Sequence, residues 1–123
     1  MRRAEATAPR PRAVGMKLVE AAPVFAALGD ETRLRIVARL SEESPLSIVR
    51  LTSGTSVSRQ AITKHLHALA AAGLVRSERS GRERLWQLRK ARLARAGRYL
   101  DRISEQWDQA LERLRRSVER EEG

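Results

Sequence analysis

The sequence predicts a mostly α-helical domain with a small β-hairpin and a long terminal helix. Three observations predict it. Apolar residues recur at helical spacing in four separate stretches before residue 73. The period then changes across "LVRSERSGRERLWQL", where two short runs flank a Gly. After that, Leu93, Ala96, Leu100, Ile103, Trp107, Ala110 and Leu114 repeat with spacings of three and four.

Each element follows from local signals. From Lys17 to Leu28 the chain is apolar and Ala-rich, which fits a short helix with Pro23 in its first turn. Gly29 breaks it and Asp30 caps a second helix, "ETRLRIVARLS", with Leu34, Val37 and Leu40 (and Ile36) as its buried stripe. After Pro45, Ser47 caps a short third helix, "IVRLTS", with Ile48 and Leu51 inward. Gly54 turns the chain in "SGTSVS". Ser58 then caps a helix over 59–72, whose inner face is Ile62, Leu66 and Leu69 and whose stop signal is Gly73. Strands are expected near Val75–Arg79 and Arg84–Leu88, joined by a turn at Ser80-Gly81 and pinned at the base by Leu74, Val75, Leu85, Leu88 and Trp86. The terminal helix should run from Ala91 to about Val118. At 1.5 Å per residue that is about 42 Å, too long for so small a domain to cover. The expected organisation is a disordered basic arm over 1–16, a helical domain with its hairpin over 17–89, and a dimerisation helix over 90–123.

Composition narrows the function. The chain has 123 residues and a net charge of +10, and its pI is near 11.5. Such a balance favours a polyanionic partner. The charge is concentrated: residues 58–90 carry eight Lys and Arg against two acids, whereas residues 18–57 carry four against five. Hydrophobic residues make up 41% and aromatics 3%, so the core must be built from Leu, Ile, Val and Ala. With no Cys, disulfides and thiolate metal sites are excluded. No apolar run approaches the ~18 residues of a membrane span, and "MRRAEATAPRPRAVG" lacks the apolar stretch of a secretory signal. A cytoplasmic protein without membrane contact is expected. Few His, no Gly-rich phosphate loop and no supported Ser/His/Asp set speak against an enzyme.

The helix that begins "SRQAITKHLHAL" carries an unusual outer face. Arg59, Gln60, Thr63 and Lys64 crowd its N-terminal half, with His67 one turn on. All can donate hydrogen bonds. With the third helix before it and the Arg-rich hairpin after it, this makes a winged helix-turn-helix. Its second helix can lie in a DNA major groove, and the wing can place Arg on phosphate or in the minor groove. Candidate DNA-binding residues are Ser58, Arg59, Gln60, Thr63, Lys64, His67, Arg79, Arg82 and Arg84. Gln60 suits adenine and the Thr63 methyl suits thymine, while Arg59 and Lys64 fit either guanine or phosphate. His65, nearer the core stripe, reads as a structural support. Candidate dimer residues are Val24, Phe25, Leu93, Leu100, Ile103, Trp107, Leu111 and Leu114.

Three stretches resemble one family. "VFAALGDETRLRIVARL", "SRQAITKHLHALAAAGLV" and "RSGRERLWQL" are similar to the ArsR-type winged-helix repressors, over about residues 22–88. Asp30-Glu31-Thr32-Arg33 matches the family's D-x-T-R helix start. Ser58, His65, Leu66, Leu69 and Gly73-Leu74-Val75 match its recognition-helix signature. The resemblance implies a homodimer that represses transcription by occupying a palindromic operator in double-stranded DNA, often at its own promoter. The chain departs from the metal-sensing members. Ser47 and Val49 stand where those members place Cys, and the last helix has no His. No metal and no cofactor are therefore expected, and the effector is left open. Two other readings fit part of the pattern: a winged helix that docks on protein, and a nonspecific architectural DNA binder.

Overall fold

The computed structural model describes residues 16–122, so the expected arm over 1–16 lies outside the described residues except for Met16. The described elements are α1 (Leu18–Leu28), α2 (Glu31–Glu42), β1 (Leu46–Ser47), α3 (Ile48–Thr52), α4 (Arg59–Ala71), β2 (Val75–Ser80), β3 (Glu83–Leu88) and α5 (Lys90–Glu122). The three strands form one antiparallel sheet in the order β1-β3-β2. This is the winged helix-turn-helix expected from the sequence, with α3 and α4 as the turn unit and β2–β3 as the wing.

The chain forms two compact units, one over Lys17–Ala94 and one comprising Met16 and the helix from Arg95 onward. In the first, α1 packs on α2 and α4, and α2 packs on α4. Val24, Leu40, Ile62, Leu66, Leu69 and Leu74 are its largest fully buried side chains. The core is aliphatic, as the scarcity of aromatics predicts, with Trp86 the one buried aromatic ring among the described residues, at the wing base.

Local chemistry fixes the helix ends. Asp30 accepts the Arg33 N–H at 3.0 Å, Ser47 that of Arg50 at 3.2 Å and Ser58 that of Ala61 at 3.1 Å. Helix α4 closes in a Schellman arrangement. The Leu74 N–H reaches the Leu69 carbonyl at 3.0 Å and the Gly73 N–H reaches that of Ala70 at 2.9 Å. Gly73 sits at φ +79°, and a Cβ there would lie 2.9 Å from the Arg92 guanidinium.

Several expectations need correction. Pro23 lies inside α1, at its sixth position, not in the first turn. The helical bond it removes would end on the Val19 carbonyl. Val19 is largely exposed, so water can take that carbonyl, while Ala21, Val24 and Ala27 hold the opposite face. Leu34 is 51% exposed. It precedes Ile36 by two residues, about 200° around the helix, so Ile36, Val37 and Leu40 form the buried stripe instead. The wing's two-residue loop is Gly81-Arg82, because Ser80 pairs with Glu83. Gly81 at φ +63° supplies the first central position that a type II′ turn reserves for Gly. Strand β1, only two residues long, carries no strand signal in the sequence. Leu46 pairs with Trp86 and Ser47 with Leu85, so the connector braces the wing. Helix α5 extends through Glu122 for 33 residues, about 50 Å.

Candidate nucleic-acid interface

The face of α4 opposite its core stripe is built as the sequence indicates. Ile62, Leu66 and Leu69 are buried, while Arg59, Gln60, Lys64 and His67 are exposed and Thr63 is half-buried. Ser58, Arg59, Gln60, Ala61, Thr63 and Lys64 line one shallow surface depression around the N-terminus of the helix. The Thr63 hydroxyl donates to the Arg59 carbonyl at 2.8 Å. That bond gives the hydroxyl an acceptor within the helix. The Ser58 oxygen is occupied as a cap acceptor, but its O–H can still donate.

His67 stands apart from this group. Its ring lies 6.0 Å from that of Trp86, tilted by 46°, so it joins the C-terminal half of α4 to the wing base. His65, on the flank, is held at the start of α2. Its Nδ1 lies 3.4 Å from the Arg33 guanidinium and 3.8 Å from the Asp30 carboxylate. Arg33 is itself anchored by donating to the Ala27 carbonyl. The backbone N–H of Arg33 holds the Asp30 carboxyl below the usual carboxylate range, and the charges of His65 and Arg33 add to this. Sequence reasoning placed His65 in a supporting role but missed its partners, which lie 32 and 35 residues away. The only signal was the Asp30–Arg33 motif itself.

The wing sorts its charges by face. Arg79 pairs directly with Arg84 across the hairpin, on the same face as the Ser77–Trp86 and Val75–Leu88 pairs. Glu78 and Glu83 project from the other face, with Arg76 and Gln87. Two arginines directly opposite each other repel. Arg84 is steadied by donating to the Ser77 hydroxyl at 2.8 Å, and Arg82 occupies the tip. The cationic face of the wing is therefore the Trp86 face, the one His67 contacts.

The proposed dimer residues divide. Leu100, Ile103, Trp107, Leu111 and Leu114 are exposed along α5, with Trp107 at 64%. Phe25 and Leu93 are half-buried. Val24 is fully buried within one chain and offers no surface to a second. Near Arg95, Ala96 is buried, and Arg102 donates to the Met16 carbonyl at 3.2 Å. Among the described residues no group of three or more His, Cys, Asp or Glu is placed to hold a metal ion, and no helix is long and apolar enough to cross a membrane.

A three-helix core, a donor-rich helix face and a cationic wing define a DNA-binding winged helix-turn-helix. Comparison with known proteins agrees. A family model described as a helix-turn-helix domain matches residues 28–78. The uncharacterized HTH-type transcriptional regulator YuzN of Bacillus subtilis is 46% identical over 68 residues, covering 50% of this chain and 74% of that protein. The HTH-type transcriptional regulator Rv2034 of Mycobacterium tuberculosis is 40% identical over 85 residues, 69% of this chain and 76% of that one. Among solved structures, an ArsR-like transcriptional regulator from Rhodococcus sp. RHA1 superposes with a TM-score of 0.70 at 44% identity, covering 80% of this chain and 92% of that one. The chain belongs to the ArsR family of winged helix-turn-helix transcriptional regulators. Its relatives are regulators, a class without enzymatic activity.

Proposed function

We propose that the protein is a homodimeric, metal-independent repressor that binds a palindromic operator at its own or a neighbouring promoter. The observation that carries this reading is the exposed N-terminal face of α4, set beside the arginine face of the wing. Gln60 and Thr63 stand where a recognition helix meets base edges, and Arg59, Lys64, Arg79, Arg82 and Arg84 surround them with positive charge. The exposed seam of α5 supplies the second half of the proposal. Leu100, Ile103, Trp107 and Leu114 fall on one heptad-like register, which Leu111 widens, and a second copy of α5 is the partner that such a seam fits. A palindromic operator asks a twofold dimer to present its two α4 helices about 34 Å apart, one turn of DNA. Ser47 and Val49 in place of thiolates, and the absence of Cys, support independence from metal.

Footprinting of the DNA upstream of its own coding sequence tests the proposal. The expected result is protection of two half-sites with twofold symmetry, about ten base pairs from centre to centre. Uniform protection of any duplex would favour an architectural role. No protection at low salt would favour docking on protein.

A further inference from the structure

A cleft of about 570 Å³ opens between α2 and the α3–α4 connection, inside the ~300–1,000 Å³ range of small-molecule sites. Its α2 wall is one row, Glu31, Arg35 and Arg39, at successive turns of one helix face. The opposite wall is the connection itself, Gly54 to Val57, and Ile36, Leu51 and Ile62 form an apolar floor.

The charges of this wall do not cancel. Glu31 is taken by Arg35 at 2.5 Å. Arg39 is half-buried, and among the described residues its guanidinium has no ion-pair or hydrogen-bond partner. A cation partly withdrawn from water without a counter-charge is matched by an anion. The hydroxyls of Thr32 and Ser56, also on the lining, likewise have no protein acceptor among the described residues. One free guanidinium matches one negative charge. The apolar floor favours a ligand with a hydrocarbon body over a bare phosphate.

We infer that this cleft is an effector site for a small amphipathic monocarboxylate, held by Arg39 with the Thr32 and Ser56 hydroxyls, whose binding weakens the grip of α4 on DNA. The coupling rests on the proposed role of α4. The ligand's hydrocarbon lies against Ile62, one turn from the Ser58 cap, and against Val57, which leads into that cap. A carboxylate there adds negative charge behind a face that must meet phosphate. Linkage makes the effect reciprocal, so DNA also weakens carboxylate binding.

Titration of isotope-labelled protein with octanoate, read by backbone amide shifts, is the direct test, with 1-octanol as the uncharged control. Saturable shifts at Gly54 through Val57 from octanoate, and none from octanol, are expected. Arg39→Gln should weaken octanoate binding by about tenfold, and Thr32→Val severalfold. No saturable shift, equal shifts from octanol, or undiminished binding by both variants would overturn the assignment. A parallel anisotropy titration on DNA separates the coupling from the role of α4. Octanoate should lower the DNA affinity of the wild-type protein. Without octanoate, Arg39→Gln should bind DNA within about twofold of it. A large loss in that variant alone would make Arg39 a phosphate contact and overturn the proposal. If the wild type bound no DNA at all, the function proposed for α4 would fail while the amide shifts still decided the cleft.

Discussion

Arg33 and His65 tie the start of α2 to the middle of α4. Arg33 Nη1 lies 3.4 Å from His65 Nδ1, and the Asp30 carboxylate stands 3.8 Å from the same nitrogen. The cap of one helix thus fixes the orientation of another. Asp30 is held below its ordinary pKa of 3.8 first by the Arg33 N–H and then by neighbouring positive charge. A depressed folded-state pKa contributes stability above the unfolded value and loses it as pH falls through the folded one. Asp30→Asn keeps the cap but removes the charge. The variant should therefore be less stable than wild type at neutral pH, and the gap should close below about pH 3.8. Urea midpoints taken across the acid range check this, and a gap constant with pH would contradict it.

Oligomeric state follows from α5. Replacing Leu100 and Ile103 with Glu puts charge into the proposed seam, and should give monomers that have lost tight operator binding. Sedimentation at micromolar concentration is the measurement. A wild-type protein that stays monomeric there would remove the α5 seam from the picture.

Much of this was legible in the sequence because its signals are local. Ser58 and Gly73 mark the ends of α4 through bonds to atoms within a few residues, and Ile62, Leu66 and Leu69 announce its inner face by spacing alone. What was missed depends on distant chain. Strand β1 is two residues long and exists only because Leu46 and Ser47 lie against Trp86 and Leu85. Pro23 is carried inside α1 by packing on α2 and α4, which overrides its local cost. Val24 fell on an apolar stretch that suits a core and an interface equally, and burial in the single chain assigns it to the core. The pairing of Arg79 with Arg84 needed the hairpin register, which turns on whether the loop is Ser80-Gly81 or Gly81-Arg82.

Salt should weaken DNA binding steeply. A dimer that neutralises roughly 6–10 phosphates loses about 10³–10⁵ in affinity between 50 and 200 mM salt. Anisotropy titrations over that range read the slope. A flat response would speak for an uncharged protein partner instead.

Zinc, cadmium and arsenite at stoichiometric levels should leave DNA binding unchanged, because the chain has no thiolate and the start of α3 carries Ser47 as its cap and Val49 in its first turn. Calorimetry that found a tight stoichiometric site for any of them, with release of DNA on binding, would contradict this.

Base reading by α4 is tested most directly by comparing Gln60→Ala with Arg82→Ala on operator and random duplex at matched salt. Gln60 projects from the first turn of α4 and Arg82 from the tip of the wing. Gln60→Ala should cost about 1–3 kcal/mol on the operator and much less on random DNA. Arg82→Ala should weaken both about equally and lower the salt slope by roughly one per subunit. If Gln60→Ala weakens both duplexes alike, or neither, α4 does not read bases through that residue.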